Sequence, residues 1–171
     1  MTDLTTDPSH STKVAELAAK IKPVRFAMLT TTGPEGQLES QPMTNQDLDA
    51  EGALWFFTST MTDIWQNIGK NPNVNVSFAE PKDSLYVSIS GIAERVVDPA
   101  RIKSLWNPLI TAWFPNGLDD PHLVLLKVVA HKVEYWDSNN SKSTSMMGMA
   151  QAILAGTTPE PEPGERGSIT L

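Results

Sequence analysis

Thr58-Ser59-Thr60-Met61-Thr62 places four hydroxyl side chains within five residues. The aromatic run Leu54-Trp55-Phe56-Phe57 precedes it, and Asp63-Ile64-Trp65-Gln66-Asn67-Ile68 follows. The first reads as a strand and the second as a short helix, so the hydroxyl run is a turn that opens a helix. Helix starts expose backbone N–H groups without intrahelical acceptors and carry the positive end of the helix dipole. Such a junction can hold a phosphate. Taken alone, the plainer reading is a capped helix start that binds nothing. No Lys or Arg lies within the run, so an anion there would rely on neutral donors.

Other chemistries find little support. The chain has no cysteine, which removes disulfides and thiolate catalysis. His122 and His131 stand apart with no second ligand at metal spacing, so no metal site is expected. No activated nucleophile or acid–base pair stands out, and no catalytic residue is assigned. The net charge is −7 and the 13 basic residues are scattered, which argues against a nucleic-acid partner. No apolar run approaches the roughly 20 residues that cross a bilayer, so no membrane partner is expected. Residues 1–10 are polar and lack the layout of a signal peptide, which points to a cytoplasmic protein. Five tryptophans in 171 residues call for a core, an interface or a flat ligand.

The elements that must position the hydroxyl turn are mostly strands. Residues 1–10 read as disordered, and a helix over 11–21 carries Val14, Leu17, Ala18 and Ile21 at helical spacing with Ser11 or Thr12 as cap. Pro23 ends it. Strands are predicted over 25–31, 37–44, 53–58, 74–79, 85–97 and 123–136, with a helix opened by Asp98-Pro99. A short helix is expected over 143–155, and the Pro-Glu-Pro-Glu-Pro tail, within 156–171, is expected to be disordered. Six strands with short connections imply a mainly β (α+β) fold, a six-stranded antiparallel Greek-key barrel with peripheral helices, in one domain over 11–155.

Several segments together carry a resemblance. Ser40-Gln41-Pro42-Met43, Leu54-Trp55-Phe56-Phe57-Thr58, Asn71-Pro72 followed by Val74 and Val76, Tyr86-Val87-Ser88-Ile89-Ser90-Gly91 and Glu134-Tyr135-Trp136-Asp137 occur in an order that resembles the general stress protein 26 group. That group lies within the pyridoxamine 5′-phosphate oxidase-like superfamily. The linking segments Leu105-Trp106-Asn107-Pro108 and Ala112-Trp113-Phe114-Pro115 are similar to the same branch. The resemblance spans about residues 14–149 and implies a split-barrel homodimer with FMN in clefts at the subunit interface. It implies cofactor contacts from Gln41, Pro42 and Met43 along the flavin, from Phe57 and Thr58, from Thr62 at the phosphate, and from Tyr86 and Trp136 near the ring.

The chain departs from the family's pattern at two cations. Gln41 stands where the family usually has Arg, and Ile64 stands where a Lys follows the helix start. A charge-assisted hydrogen bond contributes roughly 1.5–3 kcal/mol, so FMN would be held more weakly unless Arg25 or a basic residue across the interface compensates. The remaining donors are the helix start, the hydroxyls of Ser40, Ser59, Thr60 and Thr62, and Gln41. The substrate-phosphate residues of the oxidase proper fall at Gln46 and near Met146, so pyridoxamine phosphate oxidation is not expected. The leading expectation is an FMN-binding flavoprotein, as an oxidoreductase or flavin reductase with an unidentified small-molecule redox partner. The alternatives are a non-enzymatic flavin-binding or flavin-sensing protein, and a barrel holding another flat ligand such as a deazaflavin.

Overall fold

The computed structural model describes residues 8–137 and 165–170. Helix α1 (Pro8–Ile21) leads into β1 (Phe26–Thr32), β2 (Leu38–Leu48) and β3 (Ala53–Ser59). Helix α2 (Asp63–Lys70) follows, then β4 (Asn73–Glu80), β5 (Leu85–Val96), α3 (Pro99–Leu105), β6 (Leu123–Asp137) and β7 (Glu165–Thr170). The strands form one antiparallel sheet in the order β3-β2-β1-β4-β5-β6-β7, and β3 also pairs with β6. That last pairing closes a six-stranded barrel, as the strand count and short connections predict.

Alternation builds the barrel interior. Leu29, Phe56, Val76, Phe78, Ile89 and Leu126 point inward and are at most 1% exposed. β3 is apolar without alternation because both its faces are covered. Leu54 and Phe56 enter the main core, whereas Trp55 and Phe57 join a second cluster with Ile102, Ile110, Leu123 and Leu125. α3 and the segment after it thus roof the outer face of β3 and β6. The acidic loop after β2 is structural: Asp49 accepts from the backbone N–H of Glu51 and Ala53 at 3.0 and 2.9 Å and from the Trp55 indole at 2.8 Å.

Two chain-end expectations are corrected. α1 begins at Pro8, so Ser11 and Thr12 lie inside the helix and neither caps it. Within the tail expected to be disordered, residues 165–170 form β7 on the free edge of β6, with register Lys132↔Thr170 to Asp137↔Glu165. The cause is the length of β6. Its first half is flanked by β3 and β5, but beyond Ala130 it keeps only β5 and presents an unpaired edge. The helix expected over 143–155, with its Met146-Met147-Met149 run, lies outside the described residues.

Candidate functional site

The cleft arises where β2 and β3 part. Their pairing runs Leu48↔Leu54, Asp47↔Trp55 and Asn45↔Phe56, with a bulge at Gln46, and then stops. Toward Pro42, β2 continues on β1 (Pro42↔Met28), while β3 continues on β6 (Thr58↔Val124, Ser59↔Leu123). A proline, which cannot donate to a ladder, sits in this one-sided stretch of β2. The gap opens into a cleft of about 1110 Å³, slightly above the roughly 300–1,000 Å³ of clefts that take drug-sized ligands. Residues from Pro42 to Gln46 line one side, Phe57, Thr58, Ser59 and Thr62 another, and Asn107 to Ile110 with Trp113 and Phe114 a third. Arg25 and Phe26 complete it.

The hydroxyl turn lies at this cleft and is internally braced. Thr62 is the N-cap of α2, its Oγ1 accepting from the Trp65 N–H at 3.3 Å and donating to the Ser59 carbonyl at 2.8 Å. The Thr58 hydroxyl meets that of Thr62 at 3.1 Å, and Ser59 Oγ accepts from the Met61 N–H at 3.2 Å. Replacing Thr62 by Ala should lower stability by about 1 kcal/mol, a usual cap loss, whereas Thr62→Ser should retain most of it. Urea unfolding of both variants checks this; equal midpoints for Thr62→Ala and the parent would remove the cap's role.

The structure gathers some of the predicted residues and not others. Pro42, Met43, Phe57, Thr58 and Thr62 line the cleft together. Gln41 does not. It is in register with Leu29, and directly paired residues project to the same face, so it points to the barrel interior beside Glu39. Glu39 in turn accepts from the Asn67 amide of α2 at 2.9 Å. Tyr86 and Trp136 are cross-strand partners on β5 and β6, away from this cleft, with Arg166 of β7 5.6 Å from the Trp136 ring. Their neighbours Leu85, Val87 and Tyr135 take the interior positions, so they face outward.

Two of the hydroxyls expected as phosphate donors have partners within the protein. Thr60 turns to His122 Nδ1 at 2.9 Å, and Ser40 pairs with the Thr30 hydroxyl at 2.8 Å outside the cleft. Ile64, at the position of the family's Lys, is 2% exposed and packed into the main core. Arg25 is the one cation among the cleft-lining residues, and no His, Asp, Glu, Lys or Tyr joins it there. Asn45, Asn107, Leu109 and Ile110 line the cleft although the sequence assigns them no site role, and Gln46, at a substrate-phosphate position of the oxidase proper, lines it too. The linking segment Leu105 to Pro115 held a signal, because its Trp and Pro residues resemble the family, but the face it covers is a tertiary property.

Comparisons with known proteins agree with this fold. A family model described as pyridoxamine 5′-phosphate oxidase like matches residues 12–160. The crystal structure of a general stress FMN/FAD binding protein from Xanthomonas citri is 34% identical, with a TM-score of 0.64, covering 74% of this chain and 89% of that one. A crystal structure from Jannaschia sp. CCS1, provisionally identified as a general stress protein 26, is 27% identical with a TM-score of 0.68, covering 95% and 99%. Protein bli-3 of Neurospora crassa is 24% identical over 164 residues, 90% of this chain and 78% of that protein.

Proposed function

The chain belongs to the pyridoxamine 5′-phosphate oxidase-like family, and from that premise we propose that it is a general-stress-type flavoprotein that binds FMN in the β2–β3 cleft, as a homodimer. The observation that carries the reading is the cleft itself. A capped helix start and an arginine border it, and amides, hydroxyls and apolar side chains line the rest. That donor set fits a flat, phosphorylated, imide-bearing ring. Thr58, Thr62 and the first turn of α2 would hold the phosphate with Arg25 as the cation, and Pro42, Met43 and Phe57 would bound the ring.

A bound flavin supplies hydride and electron transfer, and the protein supplies position and surroundings. The lining residues suit that division, since none but Arg25 carries charge. They exclude water and orient the ring, and they do no acid–base work. An oxidoreductase or flavin reductase therefore fits better than an enzyme needing a proton donor. The same lack of acid–base groups favours a flavin store as the second reading. A homodimer is supported by the outward Phe26, Met28 and Trp136, which are 58%, 41% and 38% exposed. A second copy is also the means by which Tyr86 and Trp136 would reach a cleft.

Titration of the purified protein with FMN and riboflavin tests the reading. FMN should bind, with shifted flavin absorption bands, at least about tenfold tighter than riboflavin, since one charge-assisted phosphate contact contributes roughly 1.5–3 kcal/mol. Arg25→Ala should narrow that gap. A colourless protein that ignores both compounds would overturn the proposal. Bleaching by NADH or NADPH with reoxidation in air marks an enzyme, and a flavin that stays oxidised marks a store.

A further inference from the structure

The flavin reading uses two walls of the cleft and leaves the third, from Asn107 to Phe114, without a role. One short helical turn over Ile110–Ala112 builds that wall. The N–H groups of Trp113 and Phe114 donate to the Ile110 carbonyl at 2.9 and 3.1 Å. Ile110 anchors the turn, 4% exposed in the cluster that holds Phe57, and Phe114 packs against the same cluster. Leu109 and Trp113 face the other way: both line the cleft, yet they stay 61% and 76% exposed. Large apolar side chains left exposed in a concave site mark a ligand surface. The polar groups of this wall are engaged within the protein. Asn107 donates to the Gln46 side-chain carbonyl at 2.9 Å and to the Leu105 carbonyl at 3.4 Å, and its own Oδ1 accepts from the Leu109 N–H at 3.1 Å. These bonds pin the turn to the bulge of β2. None of the wall's residues carries charge, and Arg25, the one cation lining the cleft, is already assigned to the flavin phosphate.

We propose that this wall is a second subsite, which takes a neutral, flat aromatic compound of the naphthoquinone class against Trp113 and Leu109. The proposal rests on the flavin reading and names the class of small molecule that the same cleft admits beside the flavin. Room exists for it, because the cleft of about 1110 Å³ exceeds the roughly 300–1,000 Å³ that one drug-sized ligand takes. Shape and charge select the class. Trp113 offers a broad ring face, and aromatic rings gain from offset or edge-on contact beyond the area they bury. An ionised group seated there would lose its hydration and find no opposite charge, which is costly. The wall lies within a concavity, which a small ring can enter and the flat sheet face of a second copy would only span.

The test is equilibrium dialysis of the FMN-loaded full chain against menadione, a neutral methyl-naphthoquinone, and against the naphthoquinone that carries a sulfonate in place of the methyl. The chain has no cysteine, so no thiol captures either quinone. Trp113→Ser is treated in the same way, and FMN affinity and oligomeric state are measured for both proteins. The parent should bind menadione at least about tenfold tighter than the sulfonate. Trp113→Ser should weaken menadione by about tenfold or more while FMN affinity stays within about twofold. Equal affinity for the two quinones would overturn the assignment, as would menadione binding that Trp113→Ser leaves unchanged. A matching loss of FMN affinity in Trp113→Ser would overturn it by giving the wall to the flavin. A changed oligomeric state in that variant would overturn it by giving the wall to a second copy. Normal FMN binding with no menadione bound would overturn this assignment alone. A parent that does not bind FMN would instead fail the flavin reading, and this assignment with it.

Discussion

Gly91→Ala should unfold at a much lower urea concentration than the parent, with a loss of roughly 3 kcal/mol or more, at the upper end of overpacking costs. Gly91 sits where β5 and β6 slip register: Ser90 faces Lys132, but Gly91 faces Ala130, leaving His131 as the extra residue. Such bulges bring backbones close. A Cβ at Gly91 would meet the Val129 carbonyl oxygen well inside van der Waals contact, with the carbonyl carbon at 3.0 Å and Ala130 Cα at 3.3 Å. The obstacle is backbone in a barrel wall, so no side-chain rotation relieves it. Against a total stability of roughly 5–15 kcal/mol, this single methyl is a large fraction. Ser90→Ala, one residue away and exposed, should change stability by less than about 0.5 kcal/mol. Equal urea midpoints for Gly91→Ala and the parent would mean that the two strands slide to make room.

The second large effect separates two adjacent phenylalanines. Phe56→Ala should cost roughly 3–5 kcal/mol, the usual range for deleting a fully buried aromatic, because Phe56 is 0% exposed at the centre of the main core. The folded fraction should keep its ligand affinity, since Phe56 does not line the cleft. Phe57 points the other way. It packs edge-on against Trp106, with ring centroids 5.8 Å apart, and lines the cleft. Phe57→Ala should therefore weaken FMN binding as well as lower stability. Urea unfolding and flavin titration of both variants check the pair. Loss of affinity in folded Phe56→Ala, or full affinity in Phe57→Ala, would contradict the assignment of faces.

Much of this was legible in the chain. The period-2 pattern of residues 85–91 marks a half-buried strand, and β5 is one. Asp98 before Pro99 marks a helix start, and its carboxylate accepts from the N–H groups of Ala100 and Arg101. Thr62 caps α2 as a hydroxyl before a helical run should. Of the predicted contact residues, Pro42, Met43, Phe57, Thr58 and Thr62 share one cleft. What failed to read from the chain depended on distant neighbours. Arg166-Gly167-Ser168 carries no apolar alternation, yet it lies in β7, whose partner is the free edge that β6 presents. Gly167 fits there because it lies against the Tyr135 ring, where a Cβ would collide.

Local chemistry therefore determined the elements and the helix cap, because propensity, periodicity and capping act over a few residues, while the family and five of the residues that line the cleft came from the resemblance. The tertiary structure decided which face each residue serves. It turned Ile64 into the core and Gln41 toward the barrel interior, and put Tyr86 and Trp136 on an outward face. A period of two says which side chains share a side of a strand. Only the closure of β3 onto β6, and its parting from β2, says what lies on that side.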